Sequence, residues 1–149
     1  MSRSVLISIQ PEWCKLIANE RKTLEIRKSR PKLETPFKVY IYCTKNSDGY
    51  NVAQGKVIGE FICDKIYKYS TSDALKEDNE IADIEAVDLS CVPKNKISDY
   101  EYSSAGKEFC INNIGLYLWH ISDLVIYDKP KELTEFGKTK PPQSWCYID

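Results

Sequence analysis

The sequence predicts a compact α+β domain of barrel-like type, and three observations carry that expectation. Five or six short runs rich in β-branched and aromatic residues are spread along the chain, the pattern of strands. Two or three short stretches carry helical apolar spacing instead. At 149 residues, with 42% hydrophobic and 29% charged side chains, the chain is most simply one domain, 1–149, long enough to bury a real core. No internal repeat or linker divides it.

Val5-Leu6-Ile7-Ser8-Ile9 is short and apolar and reads as a buried strand. Pro11 suits the first turn of a helix, where its missing N–H costs nothing. Glu12 then complements the helix dipole. Trp13, Leu16 and Ile17 form one apolar face, and the helix should end near Asn19-Glu20. A second strand follows within Glu20 to Arg27. Leu24 and Ile26 alternate there with Thr23, Glu25 and Arg27, so Glu25 and Arg27 share a side, with Lys22 at the turn entering the strand.

Ser29 to Pro36 holds two prolines and reads as a loop. Phe37 to Cys43 is apolar or aromatic on both faces, as a central or barrel-closing strand should be. Lys45 to Gly55 is turn-rich. Lys56 to Cys63 is the next strand and continues as far as Tyr69, with Gly59 marking a bulge or a close backbone approach. Ser72 to Leu75 opens a short helix, and an acidic run from Glu77 to Asp88 is threaded with apolar residues, so it is structured. Ser98 to Tyr102 reads as one helical turn. Leu116 to Tyr127 is a long strand split by a bend at Ser122-Asp123. Lys129 to Leu133 reads as a short helix entered through Pro130, and Gln143 to Ile148 closes the chain as a strand.

The formal net charge is -1, so attraction to phosphate has to come from a local patch. Arg21, Lys22, Arg27, Lys28, Arg30 and Lys32 supply one, against Glu25 alone. The opposite sign gathers in the acidic run. Met1-Ser2-Arg3-Ser4 runs directly into Val5-Leu6-Ile7, too short a core for a signal peptide. With no apolar run of membrane-spanning length, the expectation is a cytoplasmic protein without a membrane partner.

Six cysteines are scattered singly, none in a C-x-x-C pair, and His120 is the sole histidine. Free thiols in the core are the plain reading and no metal is expected; the alternative is a site that folding assembles from distant cysteines. His120 has no carboxylate at a suggestive spacing and reads as structural. Trp13, Tyr117, Trp119 and Trp145 divide between core packing and a stacking platform for a base, with Trp119 and Trp145 the candidates for the platform. Lys22, Glu25 and Arg27 divide between a polar ligand site and a salt-bridged sheet face.

Ser8-Ile9-Gln10-Pro11, a helix, and then Arg21-Lys22-Thr23-Leu24-Glu25-Ile26-Arg27 resemble the ASCH domain family, whose hallmark is G-x-K-x-x-E-x-R after the first helix. Glu20 stands in place of the usual glycine, while Lys22, Glu25 and Arg27 match. Leu118 to Leu124, Tyr127 to Pro130 and Pro141 to Tyr147 look like a bacterial and phage-borne branch of it. The resemblance implies a PUA-like fold: a small mixed β-barrel with flanking short helices. It further implies a cleft lined by Ser8, Lys22, Glu25 and Arg27 that takes RNA or a nucleotide, with Arg21, Lys28, Arg30 and Lys32 along a nucleic-acid backbone. No cofactor is implied. A related branch is an amidohydrolase for acetylcytidine; an enzyme of that kind here would use Lys22 and Glu25, but Glu25 stands where that branch has its threonine nucleophile. A third reading is a protein-interaction domain using the acidic segment 77–88. Oligomeric state is left open.

Overall fold

A computed structural model describes residues 3–45, 54–70 and 115–149. The Ser72–Leu75 helix, the acidic run, the Ser98 turn and most of the Lys45–Gly55 connection lie outside the described residues. Six strands are described: β1 (Ser4–Ile9), β2 (Leu24–Arg27), β3 (Phe37–Cys43), β4 (Lys56–Ser70), β5 (Gly115–Lys131) and β6 (Trp145–Ile148). Helix α1 (Pro11–Ala18) and a 3-10 turn (Leu133–Phe136) accompany them. The chain gathers into two compact units that interleave in sequence. The first takes Met1–Thr23, Pro31–Lys65 and His120–Asp149; the second takes Leu24–Arg30 and Ile66–Trp119.

In the first unit the hydrogen-bonded order is β5-β4-β3-β1-β6. β1 and β3 run parallel, from Val5 opposite Val39 to Ile9 opposite Cys43. β6 and β4 flank them antiparallel. This register aligns Val5, Ile7 and Ile9 with Val39, Ile41 and Cys43, a row buried almost without exposure. Each such aliphatic side chain contributes about 1.5–3 kcal/mol relative to exposure. Leu6, Tyr42, Val57, Leu133 and Ile148 form a further cluster, with Tyr40, Tyr127 and Phe136 packed against it. β3 is thus central, as its two apolar faces predict. In the second unit β2 lies beside β5.

The expected helix at Lys129–Leu133 does not form. β5 runs on to Lys131, and the turn starts at Leu133. Pro130 is tolerated at the end of a strand, and the start signal lies one step later. Glu132 and Glu135 make a reciprocal capping box, with the Glu135 carboxylate accepting the Glu132 N–H at 2.7 Å. The predicted bend at Ser122-Asp123 is present, with Asp123 at φ 48°.

Gly59 is a close backbone approach. Ile41 pairs with Gly59 but Tyr42 with Val57, so Ile58 is an extra residue and β4 bulges there. A Cβ on Gly59 would lie 2.4 Å from the Val125 carbonyl oxygen of β5. Nearby, Glu60 gathers two donors: Lys38 Nζ at 3.0 Å and the Tyr127 hydroxyl at 2.8 Å. Burial pushes the Glu60 carboxyl up, but the bonds from Lys38 and Tyr127 outweigh it and hold it below its ordinary value. Bonding to Glu60 raises the Lys38 ammonium. Burial first, and then the bond to Glu60, holds the Tyr127 phenol far above the ordinary tyrosine range.

Two outcomes are expected. Gly59→Ala should destabilise by about 1–3 kcal/mol, because backbone rather than a flexible side chain must yield, read as a lower urea midpoint at unchanged slope; wild-type stability would disprove the close approach. Tyr127 keeps its proton in the folded state where the unfolded chain loses it. Stability from this group is therefore complete below about pH 10 and falls as pH rises beyond it. Alkaline melting curves of Tyr127→Phe should fall less steeply above that pH than those of wild type, and parallel curves would refute the assignment.

Candidate functional site

The K-x-x-E-x-R segment begins where α1 ends, and the ending is specific. Asn19 caps the helix and Glu20 takes the left-handed conformation at φ 59°. Glu20 N–H donates to Ile17 O at 3.0 Å and Arg21 N–H to Leu16 O at 2.9 Å. Those two bonds with a left-handed residue between them are a Schellman closure. Lys22 N–H adds a second bond to Leu16 O at 3.1 Å. One residue on, Thr23 O accepts the Ile121 N–H of β5 at 2.9 Å. The backbone on either side of the Lys22 side chain is therefore fixed.

Lys22 is only 3% exposed. Its Nζ lies 5.9 Å from the Trp13 ring centroid, at the outer reach of a cation–π contact. The Trp13 Nε1 donor is buried and meets no acceptor among the described residues. In the second unit Glu25 is 6% exposed, and Arg27 Nε donates to its Oε1 at 3.2 Å. The two share a side of β2, as the alternation predicts. They are not a wet sheet surface, however: Leu24, Glu25 and Ile26 are all buried, so the polar side of the strand is covered as well as the apolar one.

Arg21, Lys28, Arg30 and Lys32 are all exposed. The Lys32 backbone is tied down by donating its N–H to the Tyr147 hydroxyl at 2.7 Å. Ser8 is buried on β1. Its hydroxyl donates to Pro142 O at 2.7 Å while its N–H donates to Ser144 O at 2.9 Å, which clips the segment before β6 onto β1. Trp119 is fully buried and has no open face for a base. Trp145 is half-buried, set edge-on to Tyr147 at 5.3 Å.

Sequence reasoning missed one pairing. His120 Nδ1 lies 2.7 Å from Asp64 Oδ1, across β4 and β5. No local spacing announces it, because the partners come from separate strands and only the pairing of those strands joins them. Among the described residues no cluster of histidine, cysteine and carboxylate groups is arranged to hold a metal, and no helix is long and apolar enough to cross a membrane.

The left-handed Glu20 carries its own expected outcome. A non-glycine side chain in that conformation crowds the backbone at a cost of about 1–2 kcal/mol, part of which glycine returns as unfolded-state entropy. Glu20→Gly should therefore raise the unfolding free energy by about 0.5–1 kcal/mol, seen as a higher urea midpoint; a lower midpoint would show that the turn is held without strain.

The position of Glu20 is the one that a family pattern reserves for glycine, and comparison with known proteins bears on that family directly. The chain matches the family model for the ASCH domain over residues 7–129. No curated protein matches it. Among solved structures it is similar to the crystal structure of ASCH from Zymomonas mobilis, at TM-score 0.62 and 18% identity over 98% of this chain and 87% of that one. Two single-substitution variants of the Zymomonas mobilis protein align at TM-score 0.64 and 19% identity, covering 98% of this chain and 90% and 88% of theirs. At that identity the likeness is one of fold, and the fold is the PUA-like α+β arrangement expected from the sequence. With the family model spanning most of its length, the chain belongs to the ASCH domain family.

Proposed function

We propose that this chain binds RNA or a nucleotide in the cytoplasm through the Lys22–Arg27 segment. The observation that carries the reading is the burial of two ionisable side chains, Lys22 and Glu25, within four residues of each other. Taking charges out of water costs several kcal/mol per ion before pairing offsets it. A hydrophobic pair of similar volume would serve packing alone at least as well, so a ligand-binding role supplies a reason to keep them. Lys22 would hold a phosphate or a polar ligand edge. Arg27 would join it, while Glu25 would orient Arg27 and accept from a base amino group. The exposed Arg21, Lys28, Arg30 and Lys32 would extend the contact along a backbone without reading sequence. Trp145 remains as a stacking surface, whereas the buried Trp119 supports packing.

The test is the affinity of a fluorescein-labelled single-stranded RNA, by anisotropy across a salt series. Four backbone cations give an expected contribution of roughly -3 to the slope of log affinity against log salt. Replacing Arg21, Lys28, Arg30 and Lys32 by alanine should remove that contribution. The Lys22→Ala, Arg27→Ala double variant, checked for folding by circular dichroism, should weaken binding at least tenfold at every salt concentration. Affinity indifferent to both sets of changes would end the proposal.

A further inference from the structure

Two cysteines from different elements meet in the first unit. Cys14, on α1, and Cys43, the last residue of β3, are both thiols outside any disulfide and are fully buried. The parallel register sets Cys43 directly beside Ile9 of β1. Cys14 Sγ–H donates to the Ile9 carbonyl at 3.4 Å. The same carbonyl accepts the N–H of Thr44, the residue after Cys43, at 2.9 Å. One carbonyl oxygen thus holds Cys14 beside the Cys43–Thr44 corner, where Cys43 Sγ–H donates to Thr44 O at 3.8 Å, and the Cys14 thiol is the neighbour that lowers the Cys43 pKa. The remaining described cysteines are placed otherwise. Cys63 donates to Lys65 O two residues along its own strand, and Cys146 is half-buried on β6.

We propose that Cys14 and Cys43 are a dithiol modification site, closed to a disulfide by a hydroperoxide, which staples α1 to the end of β3. The neighbouring Cys14 thiol lowers the Cys43 pKa against the burial that would raise it, and so favours Cys43 as the sulfur that reacts first. Its thiolate attacks one oxygen of hydrogen peroxide. The O–O bond breaks, hydroxide leaves and takes up the proton that Cys43 released, and Cys43 becomes a sulfenic acid. The Cys14 sulfur then attacks Cys43 Sγ; the S–O bond breaks, and water departs with the Cys14 proton. Together the sulfurs lose two electrons, and the peroxide is reduced to two waters. Access comes through α1, whose eight residues are too few to persist without their packing, so a local opening of the helix exposes both thiols. The staple matters beyond the thiols. Trp13 and Leu16, which meet the Lys22 ammonium and the Lys22 backbone, ride on the same helix.

The reduced full-length protein is treated with hydrogen peroxide, quenched by alkylation and mapped as peptides without reduction. The expected product is a Cys14–Cys43 peptide pair lighter by two hydrogens, restored by dithiothreitol and missing from Cys14→Ala and Cys43→Ala. Amides of α1 should exchange more slowly in the oxidised protein. In Cys14→Ala, dimedone should trap the sulfenic acid at Cys43. Linkage of either cysteine to Cys91 or Cys110 would overturn the proposal. So would two reduced sulfurs in protein whose Cys146 is already oxidised, unchanged exchange in α1 after bridging, or no dimedone adduct at Cys43 in the Cys14→Ala variant.

Discussion

The Leu16 carbonyl is the acceptor on which the N-terminal third of the chain turns. It takes the N–H of both Arg21 and Lys22, so a helix of eight residues ends in a fixed direction instead of fraying. Without a left-handed residue at Glu20 those donors point elsewhere and the closure is lost. This gives a physical reason for the glycine in the family's motif: it is the residue that reaches φ near 60° freely. The present chain keeps the geometry with a glutamate and accepts the crowding. The next residues inherit the direction set there. Thr23 is anchored to Ile121, and β2 begins immediately after it.

A second constraint is the parallel pairing of β1 and β3. Parallel strands need a crossover between them, and the crossover here carries α1, the Schellman turn, β2 and the proline-containing loop. The Lys22–Arg27 segment therefore lies, in sequence, inside the connection between two strands buried to the last side chain of their shared row. A rigid scaffold with a chemically rich excursion is the usual division of labour between core and site. The same pairing juxtaposes Ile9 and Cys43, and through Ile9 O it brings in Cys14. Residues read from the sequence as scattered core thiols thus share Ile9 as a neighbour because of a register, which no local pattern reveals.

The legible parts were those whose signals are local. Phe37–Cys43 coincides with its strand because β-branched and aromatic residues fill both faces. The helix from Pro11 was readable from its first-turn proline and acidic residue. Gly59 and Asp123 were readable as backbone irregularities. Less legible was anything decided by what lies across a strand. The alternation in β2 implies one polar face, and only the fold shows that the polar face is buried. The bonds of Ser8 to residues 142–144 likewise depend on where β6 returns. The misplaced helix at Lys129 is a different failure. Its true start, Glu132 with Glu135, is a capping pattern that lies just beyond Pro130 in the sequence.

Glu25 bears most directly on the choice between binding and hydrolysis. A threonine at this point offers a hydroxyl that a neighbouring amine can activate, and acyl transfer to it yields an ordinary ester. Acyl transfer to a carboxylate would yield an anhydride, a far more reactive species that does not serve as the same resting intermediate. Here the Glu25 carboxylate also has a standing engagement, since its Oε1 accepts the Arg27 Nε–H. With both side chains largely buried, releasing that bond to free a nucleophile would give up a charge-assisted hydrogen bond, a cost of about 1.5–3 kcal/mol. A paired carboxylate that orients an arginine is suited to presenting a fixed charge pattern to a ligand. The threonine-based hydrolysis of the related branch asks for a group that this position does not hold.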